Sequence, residues 1–568
     1  MSSKESQPDT SSLTGSNEPN TDANSKTPSN SASVSFWSRY RLPILSGLLV
    51  GTSYIPFPPW ALFFCLVPLF LFWLRAPSKK VAFFGGWITQ FILNLIGFHW
   101  IAYTASEFGH FPWWGGVLTL LGFAAIAHLH YPIAGWLTHI AMKRFKLSPM
   151  ATFLFMAFAF CLCDRLYPMI FPWHLGYPWL WANLPGAQFA DVIGFEGLNY
   201  ITIFVNMLIA IAVNEGLLIR ENPSRTRAIK FAAVGVAIVV IVNLLGLGRA
   251  NFWKETDAEL NVIAVQGNIG NFEKFMVEER ADFRVPVLEK YLRLTREALD
   301  KHPEAQLAIW PETAYPTFLN KEYLQEPLQR RLRDFLVETK TPLMAGAYSR
   351  QFGTRKVYNG LFYLNAAGLL GETPYHKSIL LVFGETFPLS EYIPYMDKFF
   401  PDQGGFERGG GPTVMNLKLD GKNTGEVAIG PQICYEGLYP WFSASLARQG
   451  AEVIANVTND SWFWRPFEPN QHLYMTFARA VEFRRPLFRS TNTGITTAIL
   501  ASGEVLQKSP IGEEWTGLFK IPYRKNPPHT FYERAGHLWP WALLVFLVLV
   551  IAGDRLILSR IKLLSGRG

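Results

Sequence analysis

Cysteine and charge are both scarce in this sequence. Only four of the 568 residues are cysteine, and charged residues make up 17% of the chain. Three cysteines lie inside long apolar runs, which leaves Cys434 as the one thiol in the polar part of the sequence. A disulfide framework is therefore excluded there. Cys434 has two interpretations, an inert buried thiol or a reactive one.

Apolar residues are abundant, at 49% of the chain with 15% aromatic, and they are unevenly distributed. Long apolar runs occupy the chain from Leu42 to Gly248 and return from Leu538 to Leu558. About 20 apolar residues cross a bilayer, and the first two runs fall short of this, which fits a tilted or re-entrant hairpin. The eight predicted spans are 42–56, 60–74, 81–104, 113–141, 149–172, 197–219, 228–248 and 538–558.

The formal net charge of +8 comes from Lys and Arg beside the apolar runs, whereas the charges nearly balance across residues 250–537. A nucleic-acid partner is therefore not expected. Basic loops instead set the orientation of membrane proteins. Alternate loops, such as those around Arg75 and Lys143, are basic. If the N-terminus lies in the cytoplasm, seven spans carry the chain to the other side of the membrane before residue 250. Residues 250–537 are therefore predicted to lie outside the cytoplasm, in the periplasm of a bacterium with two membranes.

Composition predicts four segments along the chain. They are a disordered tail at 1–35, rich in Ser, Thr, Asn and Pro, a transmembrane domain of about seven spans at 36–249, a folded domain at 250–537, and a C-terminal transmembrane helix with a cytoplasmic tail at 538–568. Within the folded domain, β-branched runs such as Leu260–Gln266 alternate with amphipathic segments such as Val277–Lys301. This alternation predicts a layered α/β domain.

Three side chains of the folded domain lie where an apolar run meets a turn. Glu312 lies between two prolines, Lys377 adjoins an apolar run, and Cys434 ends the strand candidate at 427–434. Taken singly, they fit a surface glutamate, a snorkelling lysine and a buried thiol. Together they fit a nucleophilic thiol with a base and a cation, because a thiol needs such neighbours to become a thiolate.

The motifs W-P-E-T, H-K-x-x-L, F-G-E and C-Y-E follow one another at Glu312, Lys377, Glu385 and Cys434. This order resembles the carbon–nitrogen hydrolase (nitrilase) superfamily, which implies an αββα sandwich and a Glu–Lys–Cys triad. The motifs lie in a domain that has seven predicted apolar spans before it and one after it. In this arrangement the pattern is similar to the apolipoprotein N-acyltransferase family. Further matches are Val265–Ile269, Asn459–Phe463, Gln471-His472, Arg485-Pro486 and Thr491–Gly494.

The resemblance implies an enzyme of lipoprotein maturation in the bacterial inner membrane. The acyl donor is a membrane phospholipid, the acceptor is the α-amine of a diacylglyceryl-cysteine apolipoprotein, and a thioester on Cys434 joins two ping-pong steps. The implied base is Glu312, and the implied oxyanion partners are Lys377 and the backbone N–H of Tyr435. Glu385 and Glu436 are expected in supporting roles, and Trp462, Phe463 and Phe275 are expected along the acyl path or at the membrane interface. No metal or organic cofactor is expected.

Some positions depart from the family pattern. They are Trp464–Pro469, where a Gly-containing loop is usual, Val382 in place of proline, Phe275 in place of tryptophan, and Thr493 in place of asparagine. None of them belongs to the triad. They therefore leave the preferred donor lipid open, whereas the expected reaction is unaffected.

Two other functions are compatible with parts of the sequence. A membrane-anchored amidase would share the triad but use water as the acceptor, and a single anchor would serve it. A transporter or lipid-binding scaffold would need no triad. The seven runs before the folded domain favour a lipid substrate, and the intact Glu–Lys–Cys set favours an enzyme.

Overall fold

The computed structural model describes residues 35–109, 111–216, 224–321, 326–350, 353–354, 356–371, 373–382, 384–386, 405–463 and 466–565. The predicted disordered tail, apart from residue 35, lies outside the described residues. From Tyr40 onward the chain forms one unit, which contains both the apolar helices and the α/β domain.

The first part of the chain is helical. Its helices are α1 (Phe36–Gly51), α2 (Val67–Arg75), α3 (Lys79–Gly97), α4 (Trp100–Phe108), α5 (Trp113–Ile126), α6 (His130–Phe145), α7 (Pro149–Leu166), α8 (Tyr177–Trp181), α9 (Ala190–Gly216) and α10 (Arg225–Phe252). Among the described residues, six helical segments are long and apolar enough to cross a membrane, namely Lys79–Gly97, Trp113–Phe145, Pro149–Leu166, Pro185–Gly216, Arg225–Phe252 and Phe531–Ile561.

Helix bounds differ from several of the predicted spans. The predicted spans 42–56 and 60–74 overlap α1 and α2, which have 16 and 9 residues and are not among these six segments. The predicted span 81–104 contains the end of α3 and the start of α4, because the helix is interrupted at Phe98 and His99. The count of eight spans stays a prediction.

The second part of the chain is an α/β domain followed by a long helix. Its elements are β1 (Ala258–Gln266), α11 (Asn271–Glu279), α12 (Arg284–Lys301), β2 (Leu307–Ile309), α13 (Pro327–Thr339), β3 (Leu343–Arg350), β4 (Val357–Leu364), β5 (Tyr375–His376), β6 (Met415–Asp420), β7 (Thr424–Ile433), α14 (Pro440–Arg448), β8 (Val453–Thr458), α15 (Phe467–Phe483), β9 (Leu487–Thr491), β10 (Thr497–Ile499), β11 (Trp515–Tyr523), α16 (Phe531–Ala535) and α17 (Trp539–Ser565).

The strands form two sheets, ordered β11-β1-β2-β3-β4-β5 and β10-β9-β8-β7-β6. Within them, β1, β2 and β3 are parallel to one another, as are β7, β8 and β9. In open sheets of this kind, ligand sites lie beyond the carboxyl ends of the parallel strands. The loops after β2, β7 and β8 are therefore the expected position of a site.

The layers follow from the period-two alternation of side chains in each strand. In β1, Val262 and Ala264 belong to the apolar cluster that contains Val457 of the second sheet. Ile263, between them in sequence, belongs to the cluster that contains Leu288 of α12. Each strand thus faces the other sheet on one side and helices on the other. This arrangement confirms the predicted α/β sandwich.

Helix α15 joins the α/β domain to the helices of the first part. From Glu468 to Phe483 all its residues except Asn470 are buried. The Gln471 side-chain amide donates to the backbone carbonyls of Ile55 and Gly97, at 2.9 Å each. Because both faces of α15 are covered, the position of this helix fixes how the α/β domain meets the apolar helices.

Candidate active site

The structure brings Glu312, Lys377 and Cys434 together at the ends of three strands. Glu312 lies in the turn after β2, Lys377 directly follows β5, and Cys434 directly follows β7. All three are buried. The charges of Glu312 and Lys377 both act on the Cys434 thiol, and they do so in opposite directions. The site therefore contains a thiol, a carboxylate and an ammonium close enough to influence one another.

Lys377 is held between two carboxylates. Its Nζ donates to Glu312 Oε1 at 3.0 Å and lies 2.9 Å and 2.8 Å from the two carboxylate oxygens of Glu385. Burial alone lowers the pKa of a lysine, but the carboxylates of Glu312 and Glu385 outweigh it and raise the pKa of Lys377 well above its usual value. Lys377 is therefore a permanent cation, and Glu385 is its second partner.

The Glu312 carboxylate is fixed by three donors. Besides Lys377, the Asn359 amide donates to Oε1 at 2.7 Å, and the backbone N–H of Asn459 donates to Oε2 at 3.0 Å. Asn359 also donates to Glu385 at 3.2 Å, so one amide orients both carboxylates. These bonds hold Glu312 in a single orientation beside the thiol.

Cys434 occupies a strained position. Its φ of 53° lies in the left-handed region, which residues other than glycine seldom adopt. Such outliers concentrate at functional sites. Burial, aided by Glu312, raises the pKa of the Cys434 thiol, while Lys377 lowers it by a smaller amount. The resting thiol is therefore protonated, and attack requires a base to remove its proton.

Hydrogen bonds of Glu436 link the turn that contains Cys434 to the loop that contains Lys377. Its Oε1 accepts from the Tyr375 hydroxyl and the Ser378 backbone N–H, both at 2.6 Å, while its Oε2 accepts from the Ile433 backbone N–H at 2.8 Å. Burial raises the pKa of Glu436, and these hydrogen bonds lower it in part. Glu436 thus holds the backbone next to Lys377 and the backbone next to Cys434 in fixed positions.

A cleft opens at Cys434 and is shared by the two parts of the chain. Its lining consists of Phe98, Trp100, Phe171, Leu381, Cys434, Tyr435, Leu438, Phe463, Glu468, Gln471, His472 and Met475. Phe98, Trp100 and Phe171 come from the helical first part. The Tyr435 ring meets Phe171 edge to face with centroids 5.9 Å apart. The Cys434 thiol therefore faces an aromatic wall supplied by the helical first part of the chain.

The three aromatic residues predicted to bind substrate occupy different positions. Phe463 is buried, lines the cleft and meets the Trp100 ring edge to face at 5.2 Å. The backbone carbonyl of Trp462 accepts from the Thr104 hydroxyl at 3.0 Å, at the junction of the two parts. Phe275 is 55% exposed on α11 and is not among the residues that line the cleft. A substrate role for each of them stays a prediction.

Sequence reasoning assigned no role to a polar network behind Cys434. The Cys434 carbonyl accepts from His472 Nε2 at 3.3 Å and from the Asn456 amide at 3.4 Å. Arg489 donates to Asn456 at 2.7 Å and to Asp460 at 2.9 Å. The available signal was a charged residue inside the apolar strand β9, since arginine is rarely buried without a partner. Asn359 inside β4 was a similar signal.

Asp460, Glu468 and His472 present ligand atoms within 4.8 Å of one another, a spacing that a metal ion could use. The guanidinium of Arg489 already occupies this position, because it lies 2.9 Å from Asp460 and 3.1 Å from His472 Nδ1. A metal cation there would meet a fixed positive charge. Asp460 and His472 therefore belong to a hydrogen-bond network around Arg489.

Fold and site together define a carbon–nitrogen hydrolase-type domain attached to apolar helices. The family model described as carbon–nitrogen hydrolase matches residues 264–519. The model described as apolipoprotein N-acyltransferase N-terminal domain matches residues 46–208.

Individual proteins extend these matches over most of the chain. A protein named apolipoprotein N-acyltransferase from Bdellovibrio bacteriovorus is 44% identical over 90% of this chain and 93% of its own length. Another of that name, from Geobacter metallireducens, is 28% identical over 90% of this chain and 94% of its own. Among solved structures, an amidase from Nesterenkonia sp. matches 46% of this chain and 90% of its own at 15% identity, with a TM-score of 0.33. The chain belongs to the apolipoprotein N-acyltransferase family.

Proposed function

We propose that this membrane N-acyltransferase takes an acyl chain from a phospholipid and transfers it to the α-amine of a diacylglyceryl-cysteine apolipoprotein. The acyl chain is carried between the two substrates as a thioester on Cys434. Family membership supports lipoprotein N-acylation. The identity of the donor, the covalent intermediate and the roles of individual residues are the proposal.

The first step forms the thioester. Glu312 takes the proton of the Cys434 thiol, and the sulfur attacks an ester carbonyl of the phospholipid. Lys377 and the backbone N–H of Tyr435 stabilise the oxyanion of the tetrahedral intermediate. The carbon–oxygen bond then breaks, Glu312 returns the proton to the departing alkoxide, and lysophospholipid leaves. Glu385 keeps Lys377 in position throughout.

The second step consumes the thioester. The neutral α-amine of the acceptor attacks the thioester carbonyl, Glu312 takes one N–H proton, and the same oxyanion partners stabilise the intermediate. The carbon–sulfur bond breaks and the proton passes to the Cys434 sulfur, which regenerates the thiol. One set of side chains thus serves both steps, as a ping-pong reaction requires.

The observation that carries the proposal is the cleft shared by Cys434 and the apolar helices. A soluble amide needs no aromatic wall from membrane helices, whereas an acyl chain entering from a bilayer would contact Phe98, Trp100 and Phe171 on its way to the thiol. The wall also keeps water from the thioester, which favours transfer to an amine over hydrolysis.

The placement in the cell is part of the same proposal. We assign residues 36–249 and the helix of segment 538–568 to the bacterial inner membrane. The tail at 1–35 and the end of segment 538–568 are assigned to the cytoplasm, and residues 250–537 to the periplasm. Basic loops on alternate sides of the apolar runs support this orientation. A cysteine placed at the exposed Glu297 tests it, because only a periplasmic thiol reacts with a membrane-impermeant maleimide in intact cells.

Mass spectrometry of the Cys434 peptide tests the chemistry. Purified full-length protein is incubated with phospholipid, and we expect an added acyl mass on Cys434 that is absent in Cys434→Ala. A diacylated lipopeptide should discharge the adduct and gain the acyl chain. Discharge at the same rate by water alone would identify an amidase-type hydrolase instead. Absence of any adduct in the native enzyme would refute the thioester.

A further inference from the structure

Among the described residues that line the cleft at Cys434, one side-chain atom has no hydrogen-bond partner. Among the side-chain nitrogen and oxygen atoms of its described lining residues, Gln471 and Trp100 bond each other, and His472 bonds the Cys434 carbonyl. Oε2 of Glu468 is buried and has no hydrogen-bond partner among the described residues. An unmade hydrogen bond at a buried polar atom is destabilising, so such an atom in a candidate substrate cleft points to a ligand.

Among the described residues, no Lys or Arg forms an ion pair with Glu468. Its Oε1 lies 3.5 Å from His472 Nδ1, whereas the two terminal nitrogens of the Arg489 guanidinium donate to Asp460 at 2.9 Å and to Asn456 at 2.7 Å. A buried carboxylate without a cation is costly, and the neutral acid is favoured instead. Burial and the neighbouring Asp460 carboxylate accordingly raise the pKa of Glu468 well above its usual value. The carboxyl group therefore has a proton to donate.

We propose that Glu468 positions the acyl-donor phospholipid by donating a hydrogen bond from its carboxyl group to a lipid oxygen beside the ester that Cys434 attacks. A neutral acid suits an oxygen acceptor, whereas the acceptor's amine would be bound better by an ionised carboxylate. In a cleft lined mostly by apolar side chains, a few placed polar groups fix the orientation of the ligand. This inference rests on the proposed function and names one contact of the donor substrate.

Three variants of Glu468 separate hydrogen bonding from packing. Leucine keeps much of the side-chain volume without a donor, glutamine keeps both volume and a donor, and alanine keeps neither. The rate of Cys434 acylation is measured against phospholipid concentration by mass spectrometry of the full-length enzyme in detergent. The exposed Glu297 changed to leucine is the matched control, and melting temperatures identify any variant that fails to fold.

We expect Glu468→Leu to raise the half-saturating phospholipid concentration about tenfold, with a smaller effect on the maximal rate. Glu468→Gln should raise it by no more than about threefold, because the amide still donates. Glu468→Ala should behave like the leucine variant.

Three results overturn the inference. They are a leucine variant equal to the native enzyme, a glutamine variant as impaired as leucine, and a defect confined to the lipopeptide step. If the native enzyme forms no acyl adduct on Cys434, the proposed function itself fails, which is a separate result.

Discussion

At the scale of single residues, the site depends on an ammonium group buried between two carboxylates. Lys377 is 1% exposed, and it lies within 3.0 Å of both Glu312 and Glu385. Removing one partner of a buried ion pair is far more damaging than the net value of the pair, because it leaves the other charges unpaired. Lys377 therefore contributes to both the stability and the electrostatics of the site.

Lys377→Met tests this dependence. We expect Cys434 acylation to fall at least about a hundredfold, since two carboxylates without a cation disfavour a thiolate and an oxyanion. The free energy of unfolding should fall by about 3–5 kcal/mol. Acylation is followed by mass spectrometry and stability by thermal melting. Lys356→Met, at a half-exposed lysine, should leave both unchanged. Equal behaviour of the two variants would contradict the assignment.

At the scale of elements, α15 and α9 are joined through a buried acid. Gly194 interrupts α9 with a φ of 72°, and the next backbone N–H, that of Phe195, donates to Glu482 of α15 at 2.9 Å. Arg479 lies 3.2 Å from the same carboxylate. Burial raises the pKa of Glu482 to about 7, although Arg479 opposes the shift. The junction of the two elements therefore contains a group that titrates near neutral pH.

The pKa of Glu482 predicts how stability varies with pH. Between about pH 4.5 and pH 7, folded Glu482 keeps a proton that the unfolded chain has lost, so stability falls as pH rises through this window. In Glu482→Gln nothing titrates at this position, and we expect a shallower fall in melting temperature between pH 5 and pH 7.5. Glu426→Gln, on the exposed part of β7, should retain the native slope. A native slope in Glu482→Gln would show that Glu482 titrates normally.

At the scale of the whole molecule, the cleft exists only where two distant parts of the chain meet. Trp100 is 2% exposed, donates to Gln471 at 3.2 Å and contacts Phe463. Helix α4 begins at this residue, so the interruption between α3 and α4 helps to place the indole against α15. The α/β domain and the apolar helices therefore pack against each other at the cleft.

Trp100→Ala tests whether the apolar helices complete the site. Removing a buried tryptophan typically costs about 3–5 kcal/mol, and the loss here would open the cleft to water. We expect slower Cys434 acylation and faster hydrolysis of the thioester, both measured with a radiolabelled acyl chain. Trp114→Ala is the control, because Trp114 is 55% exposed on α5. Unchanged partition between transfer and hydrolysis in Trp100→Ala would argue against a role for this wall.

The sequence alone determined the class of fold, the family and the type of chemistry. Apolar runs, period-two strands and the order of the Glu, Lys and Cys motifs are local patterns. Local patterns can be recognised in a sequence without knowledge of the fold. The predicted strand at 427–434 matches β7, whose end places Cys434 in its turn. The predicted helix at 277–301 is divided in the structure into α11 and α12 by a short turn at Ala281–Phe283.

Only the tertiary structure decided which distant side chains share the site. Asn359 orients Glu312 across 47 positions of the chain, and Trp100 reaches Gln471 across 371. No periodic pattern records such contacts, because they depend on how two sheets and a set of apolar helices pack in three dimensions. For the same reason Phe275, an aromatic residue expected near the acyl path, lies exposed on α11, whereas Glu468 lines the cleft.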